Sequence, residues 1–548
     1  MNSRLLLLVP LAASTLFAQV SFDRILGANK EPQNWLTYSG TTFSQRYSLL
    51  NQVTPANVKN LELQWVYQVR SLEKFEATPL VVDGIMYTVE APNTIIALDA
   101  ASGRVFWKYT YAPSADARPC CGRVNRGVAI AGDTLFMGTI DAHLIAVDAK
   151  SGKLLWDKSI APPKSGYALT LAPLIVKDKV IVGTAGGELG VRGFLAAYDT
   201  RTGKELWRFY TIPGPGEPGH ETWQNDAWKT GGGPIWVTGS YDPDSNLTYW
   251  GVGNAGPDYN GDVRPGDNLY TSSVIALDAD TGKLKWHYQF SPHDQYDYDA
   301  VQIPVLADLQ WQGKPRKVML WAFRGGLFYV LDRTNGQFLL GKPFVEVNWM
   351  NGFDEDGRPK LVAGKLPSAE GVRITPGNQG GTNWYSPAYS PRTGLFYISS
   401  WVNYTTSFSK GEGEYSEGKF YTGGGGRRNN PNVVTPAFLT GANTLNVRKE
   451  EEGYGAIRAM DLQTGERKWE YKMSDVTDAG ILTTATDLLF SGGRDGYFYA
   501  LDARTGTLLW KASVGGYVAN GPMTYSVNGR QYVAVAAGNS LFVYALRQ

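Results

Sequence analysis

Short apolar stretches recur along this chain. Each runs into an Asp, takes a polar step to a Gly, and returns through a second stretch that ends on Trp. The pattern Ala/Val-x-Asp-x-x-x-Gly-x-x-x-Trp reads Ala97-Leu98-Asp99 with Gly103 and Trp107. It returns at Asp148/Gly152/Trp156, Asp199/Gly203/Trp207, Asp278/Gly282/Trp286, Asp461/Gly465/Trp469 and Asp502/Gly506/Trp510. Asp332/Gly336 keeps the turn but ends on Leu340, and Ser390-Pro391-Arg392-Thr393-Gly394 reads as a degraded eighth copy. Each copy predicts a strand, a tight Asp-to-Gly turn and a second strand ending on a large aromatic.

Several short strands per repeat, at a period of about 40 to 80 residues, point to radial repetition. The expectation is all-β: an eight-bladed β-propeller with Trp residues docked between neighbouring blades. Ser540–Leu546 is expected to complete a blade with strands near Leu61–Tyr67 and so close the ring. The gap between Asp332 and Asp461 holds long insertions, including Gly423-Gly424-Gly425-Gly426-Arg427-Arg428, read as surface loops lying over one face. Little of the chain reads as amphipathic helix, and residues 19–548 are expected to form one domain.

Composition fits that picture. The chain has 548 residues with 43% hydrophobic and 13% aromatic content, including 17 Trp and 31 Tyr, so a large core is available. The net charge of +1 gives no electrostatic case for nucleic acid or an anionic membrane. Met1 to Ala18 carries Arg4, an apolar run from Leu5 to Leu11 and small residues before Ala18. That reads as a secretory signal peptide with export to the periplasm; the alternative is a buried N-terminal segment. Its apolar core is too short to span a bilayer, and no other stretch is long and apolar enough.

The only two cysteines, Cys120 and Cys121, are adjacent. In an exported protein they would oxidise together. Neighbouring Cα atoms lie ~3.8 Å apart, short of the usual disulfide span of roughly 4.4–6.8 Å, so the bond would close a strained ring whose use is a rigid, flat surface. The alternative is a pair of buried thiols. No Cys-x-x-Cys-His is present, and four scattered His make a zinc or copper centre a poor reading.

The stretch Pro292-His293-Asp294-Gln295-Tyr296-Asp297-Tyr298-Asp299 carries the sharpest chemistry. If extended, it points the Asp297 and Asp299 carboxylates to one side, where a metal ion, an Arg or water must lie between them. Taken alone, solvated turn acids are the commoner reading.

In order along the repeat stand Cys120-Cys121-Gly122-Arg123-Val124-Asn125-Arg126-Gly127, Gly186-Gly187-Glu188-Leu189-Gly190-Val191-Arg192-Gly193, Gly231-Gly232-Gly233-Pro234-Ile235-Trp236, Gly251-Val252-Gly253-Asn254 and the Asp297 stretch. On these motifs the chain resembles the pyrroloquinoline quinone (PQQ)-dependent alcohol dehydrogenases over nearly its whole mature length. The resemblance implies a quinone held between a Cys120–Cys121 disulfide and Trp236; an indole suits such a face, and one more core Trp is the alternative for Trp236. It places Glu76, Arg126, Thr170, Gly186 and Gly187 around the cofactor, and also Asn383 and Trp384. Arg126 has the fork geometry for a carboxylate. Ala185 departs from the hydroxyl residue of methanol dehydrogenases, and Pro234 from the Thr that some of them carry.

The same resemblance implies Glu188 and Asn254 as hard metal ligands; the alternative for Glu188 is a loop acid paired with Arg192. Asp297 is implied as catalytic base and metal ligand, and Arg324 as its cationic neighbour. Asp299 is where subgroups divide: calcium-dependent methanol dehydrogenases carry Ala at this position, lanthanide-dependent ones Asp. Three carboxylates match a trivalent ion, so a lanthanide is expected, with calcium as the alternative. Methanol dehydrogenases often have Trp at the position of Asp258, which argues against strict methanol specificity and for a wider range of short primary alcohols, or aldehydes. The resemblance further implies a soluble c-type cytochrome as electron acceptor and a homodimer. A non-catalytic propeller scaffold is the competing class; such scaffolds lack the acid-and-Asn site and the Cys pair.

Overall fold

The computed structural model describes residues 20–426, 447–448 and 453–547. The expected leader, residues 1–18, and Arg427-Arg428 lie outside them. The described residues are almost entirely β; the one α-helix, Phe22–Leu26, is five residues long. None of the described helices is long and apolar enough to cross a membrane.

Among the described residues, eight sheets follow one antiparallel meander plan, seven with four strands and one with a fifth, parallel strand added. The strand Leu61–Gln68 pairs with Ser540–Leu546, so the two ends of the described chain share one sheet, as expected. The middle strands are largely apolar and buried; Ile95 to Leu98 are fully so. The outermost strand of the same sheet, Val105–Thr110, is mostly exposed or half-exposed.

The repeat does its packing between sheets. Gly103 N donates to Asp99 O at 2.8 Å, and Asp99 Oδ1 accepts from Ala101 N and Ser102 N at 2.9 Å. Gly103 has φ +74°, and a Cβ there would lie 2.6 Å from the ring of Trp65. Only glycine permits this turn to lie flat on the neighbouring indole. The same contact joins Gly152 to Trp107, Gly203 to Trp156, Gly282 to Trp207, Gly336 to Trp286 and Gly506 to Trp469, each indole coming from the preceding sheet. Where Trp is replaced by Leu340, Gly465 packs on Leu340 and Lys342. Trp510 meets Tyr544 of the terminal sheet edge-on at 5.3 Å, closing a ring of eight contacts. The fold is a β-propeller.

Two expectations change. Ser390–Gly394 is not the eighth docking turn: it links the first two strands of its sheet, Ala388–Ser390 and Leu395–Val402, and that sheet docks through Asp461–Gly465. The sheet without a copy is the one shared by the two ends: its strand Leu61–Gln68, which carries Trp65, pairs with Ser540–Leu546 from far along the sequence, so no Asp-to-Gly turn joins them. Second, the insertions are not wholly loops. Val372–Ile374 and Gly424–Gly426 both pair with Tyr404–Lys410, and residues 411–426 settle over the loops of other sheets: Tyr421 N donates to Glu188 O at 2.7 Å and Tyr259 N to Thr422 O at 2.9 Å.

Candidate active site

Seven successive connections between sheets, together with turns inside three sheets and Thr422 of the insertion, supply the wall of one cavity of about 270 Å³. Only a point on the ring axis is within reach of so many loops. Of the residues expected from sequence, Glu76, Cys120, Cys121, Arg126, Thr170, Gly186, Glu188, Trp236, Asp297, Asp299, Arg324, Asn383 and Trp384 line it. Gly187 and Asn254 lie just behind the wall: a Cβ on Gly187 would stand 2.8 Å from Asn254 Oδ1.

Cys120 and Cys121 form a disulfide across 3.8 Å of Cα separation, as expected. Cys121 Sγ lies 3.6 Å from Glu188 Oε1, so the disulfide abuts the acidic end of the cavity. Gly186 has φ +114°, and a Cβ there would sit 2.4 Å from Gly166 O. Backbone therefore approaches backbone at this edge with no room for a side chain.

One end of the cavity is organised by Arg126. Its guanidinium pairs with Glu76 at 2.8 Å, donates to Thr170 Oγ1 and Trp236 O at 3.3 Å, and lies 4.9 and 4.7 Å from the rings of Trp236 and Trp384. Burial raises the Glu76 pKa, opposed by the charges of Arg126 and Lys74. Arg126 Nε has no partner, and neither does Asp478 Oδ1.

The other end is acidic. Asp297 is not in an extended backbone: its φ is +57°, so the strand alternation expected to align the two carboxylates does not operate. They converge because both meet Arg324, whose Nη1 donates to Asp299 Oδ2 at 2.6 Å and Nη2 to Asp297 Oδ2 at 3.2 Å. Asn378 Nδ2 adds a bond to Asp297 Oδ2 at 2.8 Å, and Asp299 Oδ1 accepts from Asn254 N at 2.8 Å. Neither acid is solvated; they are 8% and 3% exposed.

Burial pushes the Asp297 pKa well up, against the pull of Arg324, with Asp299 and Glu188 adding to the rise. Burial, with the Asp299 charge, pushes Glu188 up to about 7. Glu188 does not pair with Arg192, which instead reaches Glu217 at 2.8 Å. Sequence reasoning passed over Asn378, Tyr259, Lys74 and Asp478, and took Asp258 only as a missing Trp. Asn378 stands five residues before Asn383, which the resemblance had placed at the cofactor.

The propeller domain of glucose, ethanol and alcohol dehydrogenases that use PQQ matches residues 35–348 and 365–533. The chain belongs to the PQQ-dependent alcohol dehydrogenases. It is 38% identical to the quinoprotein alcohol dehydrogenase PedH of Pseudomonas putida, over 97% of this chain and 91% of that one. It is 37% identical to the lanthanide-dependent methanol dehydrogenase of Methylacidiphilum fumariolicum, over 98% and 90%. A europium-containing methanol dehydrogenase superposes with a TM-score of 0.87 at 34% identity, covering 96% of this chain and all of that one. As a PQQ-dependent alcohol dehydrogenase the protein is an enzyme, which sets the scaffold reading aside.

The residues present fit both groups at the family level. Asn254 Oδ1 and Asp297 Oδ1 are buried without a hydrogen-bond partner, beside Glu188 and Asp299. Unpaired hard oxygen donors of this kind suit a large, hard cation. The Arg126 end offers a guanidinium with a donor to spare between two indoles, which suits an anionic aromatic group.

Proposed function

We propose that the protein is an exported, periplasmic dehydrogenase that oxidises short primary alcohols to aldehydes. In this reading PQQ occupies the cavity, a lanthanide ion is held by Glu188, Asn254, Asp297 and Asp299, and the electrons pass to a soluble c-type cytochrome. The observation that carries the reading is the set of buried carboxylates around one guanidinium, with two unpartnered oxygens among them.

When bound, the quinone would accept hydride and the ion would act as a Lewis acid. The chain's own part is proton handling and positioning. Asp297 accepts the alcohol's hydroxyl proton, Oδ1 being its unengaged oxygen. Arg324 opposes the rise in that carboxyl's pKa on burial and, with Asn378, fixes its orientation through Oδ2. Arg126, held by Glu76 and Thr170, anchors the cofactor's carboxylate side, with Trp236 and the Cys120–Cys121 disulfide offered as its two faces. Gly186, Gly187, Asn383 and Trp384 shape the slot. Residues 411–426 cover the mouth through Tyr421 and Thr422 and exclude water.

One observation favours calcium instead. Both oxygens of Asp299 are already engaged, Oδ1 by Asn254 N and Oδ2 by Arg324, so a divalent ion needs no further charge from it. Reconstitution of the metal-free protein with PQQ and either La³⁺ or Ca²⁺, followed by alcohol-dependent dye reduction, separates the two. Turnover with La³⁺ supports the lanthanide reading; turnover with Ca²⁺ alone overturns it.

A further inference from the structure

Asp258 occupies the place where a pocket-narrowing Trp was absent, and it is not idle. It is 2% exposed, and its Oδ1 accepts from Asn254 Nδ2 at 2.8 Å. The loop that carries it is pinned by the buried guanidinium of Arg264, which donates from Nε to Pro257 O at 3.0 Å and from Nη2 to Asp258 O at 3.3 Å.

A side-chain amide has one donor end and one acceptor end. With Nδ2 turned to Asp258, Asn254 Oδ1 must point away from it, and that oxygen is fully buried without a partner. Flipping the amide would set two acceptors, Asn254 Oδ1 and the Asp258 carboxylate, against each other. The arrangement thus holds a lone buried oxygen facing away from Asp258, a desolvation cost that a bound cation would remove. Asp258 also brings a charge. Asp297, Glu188 and Asp299 all act on it electrostatically, with Arg264 opposing them, and all four carboxylates line the same end of the cavity.

We propose that Asp258 is a positioning residue for the metal: it fixes the Asn254 amide with its oxygen toward the ion and, as a fourth carboxylate at the acidic end of the cavity, biases the site toward a trivalent cation. This rests on the metal assignment proposed above. The two roles separate by substitution. Asp258→Asn keeps an oxygen that can accept from Asn254 Nδ2 and removes the charge; Asp258→Ala removes both.

The experiment is calorimetric titration of chelator-stripped, PQQ-loaded protein with LaCl₃ and, separately, CaCl₂, with thermal melting as the check on folding. Asp258→Ala is expected to weaken both ions by about 10- to 100-fold, the usual effect of losing a partner that orients a ligand. Asp258→Asn is expected to keep Ca²⁺ affinity within about threefold while losing about tenfold or more for La³⁺, so the ratio of the two affinities falls. Folded variants that bind both ions within about twofold of the parent protein overturn the role of Asp258. An unchanged La³⁺ to Ca²⁺ ratio in Asp258→Asn overturns its charge part. Parent protein that binds neither ion fails the metal assignment itself, and the role of Asp258 falls with it.

Discussion

At the docking ring, Trp207 donates its indole N–H to Ala279 O at 3.1 Å and lies flat on Gly282 of the next sheet. At the axis, Asp297 Oδ1 and Asn254 Oδ1 are buried and have no partner. Trp107, Trp156 and Trp469 repeat the Trp207 bond with Ala149, Thr200 and Ala503. A buried, unpaired carboxylate or amide oxygen costs free energy, so the axis is destabilising where the ring is stabilising. The contrast assigns stability to the ring and ligand binding to the axis. It makes opposite predictions for substitutions in the two places.

The largest effect is expected from Asp297→Asn. As the proposed base it contributes ~10²–10⁴-fold to turnover, and steady-state kcat for alcohol-dependent dye reduction should fall by that factor. Removing a buried negative charge should leave the melting temperature of the metal-free protein unchanged or higher. Full activity would remove Asp297 from the chemistry. Trp207→Ala should do the reverse. Deleting a docked indole costs roughly 3–5 kcal/mol, read as a lower melting temperature, while kcat per folded molecule stays at the parent value. A Trp207→Ala protein that melts normally would break the assignment of stability to the ring.

The pH dependence sharpens the axis side. Glu188 has its folded pKa raised to about 7 by burial and Asp299, and Asp297 and Asp258 are raised for the same reasons. A carboxyl raised on folding favours the protonated native state. Its contribution is therefore fully present below the ordinary carboxylate range and is lost as pH rises through about 7. Metal-free protein should thus melt lower at pH 8 than at pH 5, by an amount of order 3 kcal/mol from Glu188, and saturating metal should abolish the difference. A flat melting profile in the metal-free protein would show that these acids are relaxed by water.

The ring was legible in the sequence because its physics is local and repeated. Asp99, Gly103 and Trp107 sit within nine positions, and each copy needs the same turn, the same bare Cα and the same large ring. The exception is physical: the motif positions before Trp65 hold Asn57 and Leu61, because its strand pairs with Ser540–Leu546 from far along the sequence and no tight turn joins the two, and Ser390–Gly394 only resembles the missing copy.

The site was legible only as far as the resemblance reached. Glu188, Asn254, Asp297, Asp299 and Arg324 were found that way and do gather at one end of the axis. The geometry that gathers them was not legible. Alternation along a strand was invoked for Asp297 and Asp299, whereas a left-handed residue and a shared guanidinium bring them together. Asn378 and Asp258 escaped because their roles exist only across loops that are far apart or through an amide's orientation, which spacing does not encode.

The smallest effect tests whether the Asp of each docking turn matters beyond its backbone. Asp199 Oδ1 accepts from Thr202 N at 2.8 Å and Thr202 Oγ1 at 2.7 Å, which lowers its pKa through the Thr202 hydroxyl first and the backbone second. The backbone bond from Gly203 N to Asp199 O survives substitution, and water can reach the exposed Thr202 N–H. Asp199→Ala should therefore cost only about 1 kcal/mol, as for loss of a capping oxygen. A depressed carboxylate pKa gives stability that is present above the unfolded value of 3.8 and is lost as pH falls through the lower folded value. The difference in melting temperature between the parent and Asp199→Ala should be clear at pH 7 and shrink toward zero under strong acid. A cost matching that of Trp207→Ala would mean that the turn, and not the indole, is what locks one sheet to the next.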